Sequence, residues 1–245
     1  MPRGAPLSFE IMLERAKEII NDVAGRTDSV VLFHSLSGKD SIVLLDLLYP
    51  RFKRVVCVFM YLIRDLEHIN QYYMYAMAKY PGIEFVQVPH YGYYNYVKHG
   101  FMGIKKNPKQ REYTLSQITD KVRERAGIEW ACYGFKQSDS LNRRLMLRSY
   151  TDGKMAISWK TKKFYPLSTY KNKDILEYIE RNNLKRPETY GGTGQSCGMD
   201  ITSPDYLRYL ALNYPGDLKR IYQVFPACAR IIPEYEDRQN ERKRN

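Results

Sequence analysis

The most chemically suggestive residues of this 245-residue chain are Gly38, Lys39, Asp40 and Ser41, which lie between two apolar segments. The preceding segment is β-branched, and the following one has helical character. A strand, a small polar loop and a helix in this order turn backbone N–H groups and a helix N-terminus toward an anion. An ordinary strand–turn–helix junction, with Asp40 or Ser41 near the helix start, is the alternative. We predict nucleotide-phosphate binding by this phosphate loop, residues 35–41, through Ser35, Ser37, Gly38, Lys39, Asp40 and Ser41.

The spacing of the phosphate loop excludes two common nucleotide-binding motifs. A Walker A loop would need glycine at Phe33 and Ser or Thr at Asp40, and no G-x-G-x-x-G pattern occurs in the sequence. The loop resembles the S-G-G-K-D-S loop of the PP-loop ATP pyrophosphatase superfamily, whose members typically split ATP between the α and β phosphates. Leu36 stands where the first Ser is usual, and Ser37 replaces a Gly. This departure leaves room for altered catalysis.

A second polar loop, residues 134–144, follows another strand-like segment, 129–133. Ligands of open parallel sheets bind beyond the carboxyl ends of the strands, so the two loops can face one crevice. Lys136 and Arg143 then supply positive charge, and Ser138 and Ser140 supply hydroxyl groups. Solvated arginines on a surface helix are the alternative interpretation.

This second loop is similar to the G-x-R-x-x-Q-S-x-x-R pattern of the phosphoadenosine phosphosulfate (PAPS) reductase family. Gly134, Ser140 and Arg143 match that pattern, while Lys136 replaces Arg and Asp139 replaces Gln. Residues 164–179 and, loosely, 190–197 are also similar to segments of that family, so the resemblance covers about residues 28–200. It implies a three-layer α/β fold like that of the adenine nucleotide alpha-hydrolases, with a mostly parallel five-stranded sheet and a helical C-terminal extension.

The resemblance also implies a reaction. ATP, or a related adenine nucleotide, would be cleaved between its α and β phosphates, and the adenylyl group would pass to an acceptor that the sequence does not identify. Lys39 would neutralise the β and γ phosphates, and Asp40 would help to hold Mg²⁺. Lys136 and Arg143 would stabilise charge that develops at the α-phosphorus. The expected cofactors are therefore ATP and Mg²⁺.

Sulfur chemistry is a second interpretation, in which the chain reduces PAPS or a similar sulfonucleotide. Such reductases carry a C-terminal Glu-Cys-Gly-Leu-His motif, and related ones hold an iron–sulfur cluster on paired cysteines; both features are missing here. Thiol attack needs an accessible, activated thiolate, which would come from Cys197 in a Gly-rich loop or from an external thiol. A structural or positioning role for Cys197 is the alternative. We expect no iron–sulfur cluster.

The positive charge of the chain is concentrated in its middle third. Residues 98–173 contain 18 Lys and Arg against 6 Asp and Glu, whereas the rest of the chain has 21 of each sign. Such a field attracts a polyanion, either a nucleotide or a nucleic acid, although a merely soluble basic surface gives the same pattern. A non-catalytic nucleic-acid-binding module is therefore a third interpretation, and a polynucleotide as the modified substrate also stays open.

Both loops lie between segments that alternate between strand and helix patterns. This alternation favours a parallel sheet with crossover helices. We predict strands at 29–34, 54–60, 83–88 and 129–133, and helices at 8–23, 40–49, 66–79, 114–127, 138–150 and 171–182. Residues 91–113 are predicted to form a short helix and a loop that closes over a ligand. The predicted organisation is an N-terminal helix at 1–27, a nucleotide-binding α/β domain at 28–170, a C-terminal helical and Gly-rich region at 171–233, and a frayed charged tail at 234–245.

Several protein classes are disfavoured by the composition. No apolar run approaches the roughly 18 residues that span a bilayer, and the N-terminus has no apolar signal core. The four cysteines are widely separated, without a C-x-x-C pair, as expected of reduced thiols. We therefore expect a cytoplasmic protein without a membrane partner. A homodimer is compatible with the sequence, which does not determine the oligomeric state.

Overall fold

A six-stranded sheet forms the centre of the molecule in the computed structural model, which describes residues 8–189 and 199–244. The strand order is β3-β2-β1-β4-β6-β5, and every neighbouring pair is parallel except β5 and β6. The predicted α/β class and mostly parallel sheet are therefore confirmed. The strands are β1 (Ser29–Phe33), β2 (Arg54–Tyr61), β3 (Glu84–Pro89), β4 (Ala131–Cys132), β5 (Ile157–Ser158) and β6 (Lys163–Phe164).

Ten α-helices connect or cover these strands in the described residues. Several start at residues suited to that position: Ser8, Ser140 and Ser203 accept a backbone N–H at helix N-termini, and Thr114 and Gln117 form a capping box. The helices are α1 (Phe9–Ala24), α2 (Lys39–Leu48), α3 (Glu67–Lys79), α4 (Tyr91–His99), α5 (Leu115–Ala126), α6 (Leu141–Arg148), α7 (Asn172–Arg181), α8 (Pro204–Asn213), α9 (Pro215–Val224) and α10 (Ile231–Arg244).

Two apolar cores lie on opposite faces of the sheet because successive strand residues point in opposite directions. On β1, Val30 and Leu32 join a core with α1, α2, α3, α7, α8 and α9, whereas Val31 and Phe33 join a smaller core with α5 and α6. This arrangement confirms the predicted three layers. No helix in the described part of the chain combines the length and apolarity needed to cross a membrane.

Two sequence-based expectations need correction. The sheet has six strands rather than five, because β5 and β6 form an antiparallel pair at its edge. These strands have only two residues each, too few for a recognisable strand pattern. The tail from residue 234 is not frayed through its described length, since α10 continues to Arg244. This helix was not predicted from the sequence, because its mostly charged residues form no apolar stripe.

Parallel register brings the two predicted loops together. Val31 pairs with Ala131 and Leu32 with Cys132, so β1 and β4 end side by side. The strand order also reverses here, because the chain runs from β1 outward to β3 and then returns to the other side of β1. A switch of this kind opens a crevice at the carboxyl ends of the strands. The phosphate loop and the second loop border that crevice.

Candidate functional site

Two serine hydroxyl groups hold the phosphate loop in its turn. The Oγ of Ser41 donates to the carbonyl of Gly38 at 2.9 Å and accepts the N–H of Ser35 at 3.2 Å. The Oγ atoms of Ser35 and Ser41 lie 3.1 Å apart. A Cβ on Gly38 would lie only 1.9 Å from the Oγ of Ser35. With Ser35 in this position there is no room for a side chain at position 38, and both hydroxyl groups bond within the loop.

Leu36 anchors the phosphate loop to the core. Its backbone is left-handed, with φ 55°, and its side chain is buried. Its N–H donates to Nδ1 of His34 at 2.9 Å. Burial lowers the pKa of His34 to about 3, so the imidazole stays neutral and Nδ1 stays an acceptor. The departure from the family pattern at Leu36 thus gives the loop an apolar anchor.

Five side chains of alternating charge join the two loops. The Nζ of Lys136 lies 2.7 Å from Oδ1 of Asp40 and 3.0 Å from Oδ1 of Asp139. At the ends of this charge chain, Lys39 lies 3.5 Å from Asp40 and Arg143 lies 2.8 Å from Asp139. These ion pairs therefore connect the first turn of α2 to the first turn of α6.

Lys136, at the middle of the charge chain, is buried, so its ammonium contacts protein carboxylates. The Lys136 side chain is only 1% exposed, and its ammonium faces two carboxylates rather than open space. Burial raises the pKa of Asp139, but the Lys136 N–H and ammonium outweigh that effect and keep the pKa below its usual range. Asp40, the predicted Mg²⁺ ligand, has Lys136 and Lys39 as its neighbours. Direct contact of Lys136 or Asp40 with a ligand or metal stays a prediction.

A cavity of about 730 Å³ opens between the two loops, a size typical of small-molecule sites. Most of the sequence-predicted residues meet there, since the cavity is lined by Ser35, Lys39, Asp40, Ser41, Gly134, Ser138 and Arg143. Ser140 does not line it; its hydroxyl accepts the N–H of Arg143 at the start of α6. Gly134 brings the loops into contact, since a Cβ there would lie 3.0 Å from the Cβ of Asp40.

A second cavity, of about 480 Å³, lies on the other side of the phosphate loop. Ser37 and Gly38 line this cavity instead of the first, while Lys39 and Asp40 line both. Its far wall includes Glu188, whose Oε1 accepts hydrogen bonds from Gln71 and Tyr214. The phosphate loop therefore contributes to both cavities, and Lys39 is a cation that lines each of them.

His90 and Phe135 also line the site, although neither was predicted from the sequence. His90 lines both cavities, and its Nδ1 accepts the N–H of Gly92 at 3.1 Å at the start of α4. Burial lowers the pKa of His90 and favours the neutral imidazole. The ring of Phe135 lies 4.1 Å from the guanidinium carbon of Arg143 and supports that side chain. The available signal was their position, since His90 directly follows β3 and Phe135 lies three residues after β4.

The described cysteines are unsuited to thiolate chemistry. Cys57, Cys132 and Cys228 are buried, and burial raises the pKa of each thiol, to about 11 for Cys228. Cys197 lies outside the described residues. Within residues 8–189 and 199–244, no three His, Cys, Asp or Glu side chains are grouped to hold a metal ion. The described part of the chain therefore offers no ligand set for a metal cluster.

Comparison with known proteins gives one family match. The model of the phosphoadenosine phosphosulfate reductase domain matches residues 30–199, a range that includes both loops. No curated protein sequence matches this chain.

Solved structures show a distant likeness. U34-tRNA thiolase NcsA from Methanococcus maripaludis is 17% identical, with a TM-score of 0.47 over 96% of this chain and 80% of that one. PAPS reductase from Candida auris, in a phosphate complex, is 14% identical, with a TM-score of 0.46 over 80% and 100%. NH3-dependent NAD synthetase from Campylobacter jejuni subsp. jejuni, in complex with nitrate, is 13% identical, with a TM-score of 0.47 over 93% and 95%.

The expectation about iron–sulfur clusters is corrected by these comparisons. The thiolase structure is described with its [4Fe-4S] cluster. The expectation of no iron–sulfur cluster, which rests on missing cysteine pairs, is therefore wrong as stated.

Proposed function

This chain belongs to the phosphoadenosine phosphosulfate reductase domain family, as its two loops predicted, and from that premise we propose a nucleotide-dependent transfer reaction. The protein binds ATP or a related adenine nucleotide in the cavity between the phosphate loop and the second loop. It cleaves the bond between the α and β phosphates and transfers the adenylyl group to an acceptor.

One observation carries this proposal: Lys39 and Arg143 line the same cavity. Their loops follow neighbouring strands and are cross-linked through Asp40, Lys136 and Asp139. A polyphosphate in this cavity would meet cations from two separate loops, together with the N-terminus of α2. Positioned cations of this kind are the main contribution that proteins make to phosphoryl-group chemistry.

The described side chains suggest a division of labour. Lys39 compensates the charge of the β and γ phosphates, while Arg143 approaches the α-phosphorus with its guanidinium supported by Phe135. Lys136 is a positioning residue, because its ammonium is occupied by Asp40 and Asp139. A nucleophilic atom of the acceptor forms a bond to the α-phosphorus and releases its proton to solvent. The bond from that phosphorus to the bridging oxygen breaks, and pyrophosphate leaves with its electron pair.

The acceptor class that we propose is a nucleic acid. The surplus positive charge in residues 98–173 exceeds what one triphosphate requires. Exposed members of this set include Lys105, Lys106, Lys109 and Arg111, which lie outside both cavities. Exposed cations in excess of the nucleotide site support a polyanionic partner.

The test uses ATP labelled at the α-phosphate, in magnesium-containing buffer, with and without total cellular RNA. Separation of AMP, ADP and labelled RNA should show AMP or adenylylated RNA from the wild type and at least about a hundredfold less from Lys39→Met. Lys53→Met, which removes an exposed lysine paired with Asp28, is the matched control. ADP as the product would contradict the proposal. So would a wild type that neither turns over ATP nor binds it in a Lys39-dependent manner.

A sulfonucleotide reductase receives less support from the described residues. Burial raises the pKa of all three described thiols, so none is poised as a thiolate at neutral pH. The separate test is sulfite release from PAPS by the wild type and by Cys197→Ser. Release that depends on Cys197 would replace the adenylyl-transfer proposal.

A further inference from the structure

A groove of about 580 Å³ lies on the face of the sheet that carries the smaller core. Its floor is formed by Val56 of β2 and by Val86 and Val88 of β3. Helix α5 borders one side, through Ile118 and Val122 among others, and Tyr94, Gln110 and Tyr113 border the other. We call this feature the strand groove. Neither loop of the nucleotide site lines it.

The strand groove lies on the same sheet face as the nucleotide cavity. Residues 56, 58 and 60 of β2 alternate onto one face, and Val56 lines the groove while Val58 and Met60 line the cavity. On the neighbouring strand, Val88 lines the groove and His90, just past the strand end, lines the cavity. Two residues along a strand span about 7 Å. A chain molecule in the groove can therefore reach the nucleotide.

The wall of the strand groove combines aromatic rings with cations. The rings of Tyr94 and Tyr113 lie 4.9 Å apart at a steep angle. The Nζ of Lys121 lies 5.6 Å from the Tyr113 ring, and the guanidinium carbon of Arg111 lies 5.2 Å from it. Arg125 also lines the groove, and Lys121, Arg125 and Arg111 are exposed. The wall thus offers aromatic surface next to the exposed cationic groups of Lys121 and Arg125, and Arg111 lies beside it.

The one carboxylate among the groove-lining residues is already neutralised. Glu84 accepts two hydrogen bonds from the guanidinium of Arg54, at 2.6 and 3.0 Å. Arg54 keeps the pKa of Glu84 below its usual range, so the pair stays ionised and closed. Lys121 and Arg125 therefore dominate the charge of the groove, which makes it complementary to an anion with apolar groups.

We infer that the strand groove binds a single-stranded segment of nucleic acid. A base packs against the tyrosines and valines, while the flanking phosphates contact Lys121 and Arg125. Aromatic surface beside cations is the combination that recognises unpaired nucleotides, since every base has a flat face and every linkage carries a negative charge. The role of that strand as adenylyl acceptor rests on the proposed function, whereas its binding does not.

The experiment measures binding of a fluorescein-labelled 12-nucleotide RNA, and of the DNA of the same sequence, by fluorescence anisotropy over a salt series without ATP. The double variant Lys121→Gln/Arg125→Gln should weaken binding at least about fivefold and lower the salt slope by about 0.7 per removed cation. Tyr113→Ala should weaken binding at least about fivefold, while Tyr113→Phe keeps the ring and the affinity. Lys219→Gln on α9, which packs on the opposite face of the sheet, should change nothing. Thermal unfolding of each variant verifies that it is folded.

The outcomes separate this inference from the proposed function. Lys39→Met should lose ATP binding and keep oligonucleotide binding. Lys121→Gln/Arg125→Gln should keep ATP binding and weaken oligonucleotide binding. A 4-thiouridine oligonucleotide should photo-crosslink to the peptide that contains Tyr94 or Tyr113. Groove variants that bind the oligonucleotide like the wild type would overturn the inference. Crosslinks only outside the groove, or a groove that binds acidic peptides in preference to the oligonucleotide, would also overturn it.

Discussion

The Nζ of Lys136 lies 2.7 Å from Oδ1 of Asp40, although 96 residues separate them in the chain. Asp40 belongs to the first turn of α2, where the partial positive charge of the helix also favours a carboxylate. Lys136 follows β4 and is almost fully buried. This ion pair therefore fixes the spacing of the two loops that border the nucleotide cavity.

Replacement of Lys136 by Met should destabilise the protein strongly. The variant leaves Asp40 and Asp139 without their shared cation, and loss of one partner from a buried ion pair costs about 3–5 kcal/mol. Urea unfolding measures the change in the free energy of unfolding. Lys154→Met is the control, because Lys154 also bridges two carboxylates, Asp22 and Glu18, but at the surface, where we expect less than about 1 kcal/mol. Equal losses in the two variants would contradict the structural role of Lys136.

Gly38→Ala should distort the phosphate loop. The added methyl group would lie 1.9 Å from the Oγ of Ser35, so Ser35 must leave its contact with Ser41. We expect a loss of about 1–3 kcal/mol in the free energy of unfolding and weaker binding of a non-hydrolysable ATP analogue. Calorimetry measures both quantities. Gly216→Ala, with no atom within 4 Å of the new Cβ, should stay within about 0.5 kcal/mol of the wild type.

A double variant identifies the cause of the Gly38→Ala effect. Ser35→Gly removes the atoms that the alanine methyl group meets at 1.9 and 3.2 Å. Ser35→Gly/Gly38→Ala should therefore be more stable than additivity of the two single variants predicts. Strict additivity would mean that the steric contact between these two positions is not the reason for the loss.

Ser140→Ala should affect both stability and nucleotide binding through Arg143. The Ser140 hydroxyl accepts the Arg143 N–H at the start of α6, and loss of such a cap costs about 1 kcal/mol. The first turn of α6 then frays, and Arg143 no longer holds its position over Phe135. Thermal unfolding and ATP-analogue affinity should both decline in Ser140→Ala and recover in Ser140→Asp, which restores the acceptor. Recovery of stability without recovery of affinity would place Arg143 outside the nucleotide site.

The sequence predicted the two loops of the site, because each loop directly follows a strand-like segment. The apolar segments before Ser35 and Gly134 end where polar loops begin, and parallel strands must present such loops at one edge. The sequence could not indicate the partners of Lys136, because its burial depends on carboxylates of Asp40 and Asp139 that converge only in the folded chain. An isolated lysine in a polar loop has the same pattern as a solvated one.

Leu36 and His90 show two further limits of sequence reasoning. Leu36 departs from the family pattern, but the sequence does not show that its backbone is left-handed or that its N–H donates to His34. His90 lies at the carboxyl end of β3, a position that favours ligand contact, but its neighbours in the sequence carry no motif. A sequence motif identifies residues whose pattern recurs in a family, whereas a residue such as His90 lines a cavity only because of its position in the fold.

The neutral imidazole of His34 should make stability depend on pH. Its folded pKa is lowered to about 3 by burial, against an ordinary value of 6.5. Below pH 6.5 His34 is protonated in the unfolded chain but stays neutral in the native state. The contribution of neutral His34 to the free energy of unfolding is therefore complete above pH 6.5 and declines as the pH falls toward 3. The slope approaches about 1.4 kcal/mol per pH unit for one such group.

His34→Asn tests this dependence, because the asparagine oxygen can accept the Leu36 N–H but does not titrate in this range. Urea unfolding between pH 4 and 8 should show a shallower acid-side decline for His34→Asn than for the wild type. The pKa values of His68 and His90 are also lowered by burial, but these residues are present in both proteins, so the difference isolates His34. His99→Asn, at an exposed histidine, should follow the wild-type profile. If the acid-side slopes of the wild type and His34→Asn are the same, His34 is protonated in the native state and does not brace the phosphate loop through a neutral Nδ1.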